Sequence, residues 1–172
     1  MPWGQVQPVL DRKMIGLCRK PYEAHKKGCP NWGKHPTCPP QAPWLAEILD
    51  LTQPVYAIWT TYNLAAHAAK MKEAHPQWSD RQLINCLYWQ GNARKLLRQE
   101  VASFQAEHPA DPFLVLYRPE ACGLVVGATM QQLGVTLEWM PRITVHLVAL
   151  AGLGLNAPEY FLGGDPLGGG DL

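Results

Sequence analysis

Pro54-Val-Tyr-Ala-Ile-Trp-Thr60 is followed closely by Asn63-Leu-Ala-Ala-His-Ala-Ala-Lys-Met-Lys-Glu-Ala-His75. The first stretch is rich in β-branched and aromatic residues. Its alternation puts Val55, Ala57 and Trp59 on one face of a strand. The second has helical composition. Asn63 can cap it, because its side-chain oxygen accepts an amide that the first turn leaves unpaired, and Pro76 ends it. A strand that gives way to a helix within a few residues sets the expectation of an α/β fold.

The same pattern extends outward. Upstream, residues 45–50 (LAEILD) read as a short helix. Downstream, Ser79-Asp80-Arg81-Gln82 is a capping-box signature that opens a long helix over roughly 80–107. Leu83, Leu87, Leu97, Val101 and Phe104 recur in it at largely helical intervals, and Gly91 interrupts it. Phe113 to Tyr117 is a strand candidate, and residues 124–133 a short helix ending near Gly134. Val135, Leu137 and Trp139 alternate, as do Ile143, Val145, Leu147 and Ala149, with Pro141-Arg142 between the two runs. Leu147 to Leu155 is the longest apolar run. Broken by Gly152 and Gly154, it reads as a buried strand with its exit. Strands alternating with helices predict a compact single α/β domain over 1–162, a small mixed sheet packed with helices. Residues 1–17 are a lead-in, 18–44 a Cys-rich loop, 45–162 the α/β body and 163–172 a flexible Gly-rich tail.

The chain of 172 residues is long enough to build a core without a metal or disulfide staple. A metal would therefore serve a task rather than rescue folding. Net charge is +1, from 15 basic and 14 acidic residues, so no global field draws the chain to nucleic acid or an anionic membrane. The start lacks a signal peptide, and no apolar run reaches the ~18 residues of a membrane helix. The expectation is a cytoplasmic protein without a membrane segment. Thiols stay reduced there, so five cysteines point to metal or redox chemistry rather than disulfides.

Three of the five lie in the loop: Cys18, Cys29 and Cys38. Five prolines and two glycines between Gly28 and Pro43 exclude a long helix or central strand. A loop so long and irregular needs something to hold it. Thiolates are soft ligands that suit zinc and iron–sulfur clusters. Cys29 and Cys38 each precede proline, a step that also ends a common ferredoxin run. Arg19, Lys20, Lys26, Lys27 and Lys34 offset the charge of several thiolates. The spacing matches neither paired Cys-x-x-Cys ribbons nor standard ferredoxins.

Cys29-Pro30-Asn31-Trp32-Gly33, then Cys38-Pro39-Pro40 after four residues, resembles the hallmark of the uncharacterised "predicted metal-binding protein" family, Cys-Pro-x-aromatic-Gly … Cys-Pro-Pro. Members commonly carry a cysteine upstream, which Cys18 matches. Met130-Gln-Gln-Leu-Gly134-Val135 is similar to the family's Met-Glu-Ala-x-Gly-Ile/Val segment. That segment follows further cysteines, and here Cys122 stands alone in their place. The resemblance implies one centre, with Cys122 as fourth ligand.

Three functions are compatible with this pattern. The first is one 4Fe-4S cluster on Cys18, Cys29, Cys38 and Cys122, for electron transfer or redox sensing with a partner protein. The second is an enzyme whose cluster has three cysteine ligands and an open iron. The third is a zinc-stabilised module that docks into a larger assembly. Cys86 reads as a small core residue. His25 and His35 are possible substitute ligands. His146 reads as a core histidine, and His67, His75 and His108 as helix-surface residues. Tyr22, Trp32 and Trp44 can roof the site. Arg94, Lys95 and Arg98 read as a solvated basic face, and Glu100 and Glu107 carry no role. Phosphate-loop, nucleophile-elbow and zincin motifs are absent.

Overall fold

The computed structural model describes residues 1–21 and 26–157. Its frame is a four-stranded antiparallel sheet in the order β1-β2-β4-β3: Trp3–Val6, Val55–Asn63, Thr144–Leu153 and Phe113–Leu116. The small sheet packed with helices is thus present. Each of its pairings is antiparallel, and each pair of neighbours is joined by a long connection that carries helices.

β2 and β4 form the centre, pairing from Val55↔Gly152 to Asn63↔Thr144. The alternation read from 54–60 holds. Val55, Ala57 and Trp59 belong to one core cluster, together with Leu114, Leu116, Val148 and Leu150. That face is covered by α2 (Leu45–Ile48), by Leu124 and by Met130 of α6 (Val126–Gln131). The opposite face, with Ile58, Ala149 and Ala151, packs under Leu97, Val101 and Phe104 of α5 (Cys86–Glu107). β4 is thus apolar on both faces, which explains its nearly continuous apolar run.

α3 (Leu64–Ala74) starts as expected, with Asn63 Oδ1 accepting from Ala66 N at 2.8 Å. The long helix over 80–107 is in fact two. α4 (Asp80–Leu83) follows Ser79, whose N–H and hydroxyl both donate to Gln82 Oε1. The backbone then turns extended at Asn85, whose side chain accepts from Leu87 N and restarts the helix as α5. The cap at Asn85 outcompetes continuation through Ile84. Gly91 leaves α5 unbroken.

Two further expectations change. The lead-in carries β1 and a short helix, α1 (Lys13–Leu17). Val135 to Trp139 form no strand. Val135 and Leu137 pack against the core from a loop, while Trp139 is exposed. Glu138 closes this loop by accepting from the N–H groups of Arg142, Ile143 and Thr144 at 2.8, 3.2 and 3.1 Å. Those bonds hold its carboxyl below the usual range. β4 starts only after them. The expected tail, 163–172, lies outside the described residues, as do Tyr22 and His25.

Candidate metal centre

The topology leaves a gap beside β4. β3 pairs with β4 only from Leu150 to Leu153. Among the described residues, the first half of β4 therefore has no strand partner on that side. A cleft of about 390 Å³ lies there, within the roughly 300–1,000 Å³ range of small-ligand sites. His146, Leu147 and Val148 of β4 form its floor. Gln90, Arg94 and Leu97 of α5 form one wall, and Tyr117, Arg118, Glu120 and Ala121 another. The Cys loop closes it with Cys18, Cys29, Trp32 and Cys38.

The loop brings its three cysteines to this cleft by backbone bonds. Cys18 caps the end of α1. Its carbonyl accepts from Cys29 N at 2.7 Å, so residues eleven apart in sequence lie side by side. Gly28 permits that approach. Its φ is +84°, and a Cβ there would stand 2.7 Å from Cys18 O. Beyond it, Gly33, with φ +71°, donates to Pro39 O at 2.8 Å. Cys38 donates its N–H to His35 O and accepts through its carbonyl from Gln41 and Ala42. The irregular loop thus satisfies much of its backbone internally.

The thiols have different surroundings. Burial is the main cause that raises the Cys18 pKa, followed by the neighbouring charges of Cys29, Glu120 and Cys38. Arg118 reaches Cys38 from the end of β3. Its Nη1 donates to Cys38 Sγ and to Thr37 Oγ1, both at 3.3 Å. Its Nη2 is buried without an acceptor among the described residues, a condition that costs about 1–3 kcal/mol. Glu120 lines the cleft and is exposed at the surface, yet desolvation by the surrounding protein pushes its carboxyl up; a backbone hydrogen bond and then Arg118 oppose that rise.

Cys122 stands apart. It lies in the 3-10 turn Pro119–Cys122, is fully buried, and is not part of the cleft lining. Burial pushes its thiol up to about 12, with Glu120 and Cys38 adding smaller pushes. In metal-free protein at pH 8, Cys122 is therefore protonated and resists iodoacetamide, while exposed Cys86 reacts. Mass spectrometry of a timed labelling would show this, and Cys122 labels only on unfolding. Cys86 is not the core residue its sequence context predicts, because it opens α5 on the exposed side.

Other candidates also move. His35 does not line the cleft, and Trp44 packs against Gly123 instead of roofing the site. Trp32 does line it, with Arg19 stacked at 5.8 Å from its ring. His146 is on the cleft floor, its Nδ1 bonded to Thr61 Oγ1 at 3.2 Å. Desolvation lowers its pKa. Arg94 lines the cleft rather than an open basic face. His67 and His108 are half-buried, against Tyr62 and stacked on Phe104. Arg118 and Glu120 carry no motif; only the end of β3 brings them to the cysteines.

Among the described residues, no three His, Cys, Asp or Glu side chains converge closely enough to hold a single metal ion. A tetrahedral zinc site holds its sulfurs about 3.8 Å apart, from Zn–S bonds of 2.3 Å. A four-iron cluster hangs its cysteines from separate irons and spreads them wider. Three thiols line one cleft, a guanidinium donates to one of them, and the other terminal nitrogen of that guanidinium is buried without an acceptor among the described residues.

No family model matches the chain, and no curated protein or solved structure shows significant similarity to it.

Proposed function

We propose that this chain is an iron–sulfur protein whose 4Fe-4S cluster is held by Cys18, Cys29 and Cys38, with one iron left free of protein thiolate to act on a small ligand in the cleft. One observation carries the reading: these three thiols line the same cleft, while Cys122 is fully buried outside its lining. The resemblance of Cys29 to Pro40 to the "predicted metal-binding protein" family supports a metal centre on the loop cysteines, although it implies Cys122 as a fourth ligand. When bound, such a cluster supplies a Lewis-acidic iron or a one-electron centre. The protein contributes the cleft, with His146, Gln90 and Tyr117 as polar groups that orient a ligand.

Anaerobic purification with iron, sulfide and zinc quantified together tests this. The expected result is a brown protein with about four irons and four sulfides per chain. Stoichiometric zinc in a colourless protein would sink the proposal in favour of the zinc-stabilised module.

A second reading has its own support. The Cys122 thiol lies near enough to Cys38 to feel its charge. A closed cluster with Cys122 as fourth ligand would serve electron transfer or redox sensing with a partner protein. Cys122→Ser separates the two. The three-cysteine reading expects iron content unchanged, the closed reading a loss as large as that in Cys29→Ser. Among the described residues, no helix is long and apolar enough to cross a membrane.

A further inference from the structure

Arg118 is a cation in direct contact with a cysteine of the cleft. Its position follows from the fold. β3 ends at Leu116, and the chain then leaves the sheet toward the Cys loop. The guanidinium is half-buried and split over two acceptors from consecutive residues, Thr37 and Cys38. Thr37 is buried, so its hydroxyl holds the fork in place. An arginine cannot lose its charge in a protein, so it presents a permanent positive donor to this sulfur. The unmet donor at Nη2 adds a second reason to expect an anionic acceptor nearby.

We infer that Arg118 sets the reduction potential of the cluster by donating to the Cys38 sulfur. This inference rests on the proposed cluster. A hydrogen bond to a ligating sulfur withdraws electron density from it, and a fixed positive charge favours the more negative, reduced state. Both effects act in one direction, toward a higher potential. Arg118 is then a positioning and tuning residue that acts through Cys38.

The test is an anaerobic redox titration of the reconstituted full chain, followed by visible absorbance and electron paramagnetic resonance. Arg118→Gln should lower the midpoint potential by about 59 mV, a tenfold change in the ratio of oxidised to reduced form for a one-electron couple. Arg118→Lys keeps the charge without the fork and should fall part of the way. Equal potentials in Arg118→Gln and wild type, with both fully loaded, would overturn the inference and leave the cluster standing. A wild-type chain that assembles no cluster would overturn the cluster and this inference together. If Arg118→Gln does not fold, Arg118→Lys decides alone, and a potential equal to that of wild type counts against the inference.

Discussion

With the proposed cluster bound, Gly28→Ala is expected to strip the chain of iron while leaving its body folded. Gly28 has φ +84°, and its added Cβ would stand 2.7 Å from Cys18 O and 2.9 Å from the Arg19 carbonyl. All of these are backbone atoms, so no side chain can swing away. The left-handed backbone alone costs alanine about 1–2 kcal/mol, and the clash adds to it. Relief requires the 18–19 and 28–29 segments to separate, which breaks the 2.7 Å bond that sets Cys29 beside Cys18. Because about 1.4 kcal/mol is tenfold in binding, the affinity of the loop for the cluster should fall at least about tenfold, read as iron retained against a competing chelator. The melting temperature should change little, since no described residue between Cys18 and Gln41 belongs to a core cluster. Gly16→Ala is the control. It lies in α1 two residues from Cys18, and a Cβ there meets nothing within 4 Å. It should keep its iron. Loss of iron in both variants would mean that the loop tolerates no change, and the argument from Gly28 would fail.

The pattern of what was legible follows from where the information sits. Apolar alternation is local, so Val55, Ala57 and Trp59 announce their face of β2 without the rest of the fold. Asn63 and Ser79 announce helix starts for the same reason. β1 escapes notice because Trp3-Gly-Gln-Val6 is short, contains glycine and depends on pairing with residues 55–58. The split of the long helix turns on Asn85, whose capping role competes with an apolar period that runs straight through it. Val135, Leu137 and Trp139 have the right alternation but pair with no strand among the described residues, and alternation cannot report a partner. At the candidate site, Cys29 and Cys38 are marked by their prolines. Arg118, Glu120 and His146 are ordinary residues until the ends of β3 and the start of β4 bring them to the cleft. Cys122 shows the converse. Its place just past a strand suggests a ligand, yet the turn that carries it folds the thiol inward.

Gly123→Ala should be the most destabilising of these changes to the body of the protein. Gly123 follows Cys122 with φ +94°, and a Cβ there would overlap Cζ3 of Trp44 and lie 2.7 Å from Cε3. The indole packs flat on the missing side chain. It cannot simply move off, because Arg12 stacks on its ring at 4.6 Å and Leu45, fully buried, follows it in the chain. Gly123 also ties the lead-in to the body, its carbonyl accepting from Asp11 N at 2.9 Å. Left-handed strain of about 1–2 kcal/mol and overpacking of about 1–3 kcal/mol together predict a loss of about 2–5 kcal/mol. For a chain of this size that is a fall of roughly 10 °C in the midpoint of thermal unfolding. Urea titrations would measure the free energy directly, with the slope unchanged if only the native state is affected. The cause can be isolated by a double-mutant cycle. Trp44→Ala removes the atoms that the new Cβ meets, so in its background Gly123→Ala should cost only the backbone strain. Costs that add independently of Trp44 would show that the strain lies in the turn itself and not in the contact between the Cys loop's end and the turn that carries Cys122.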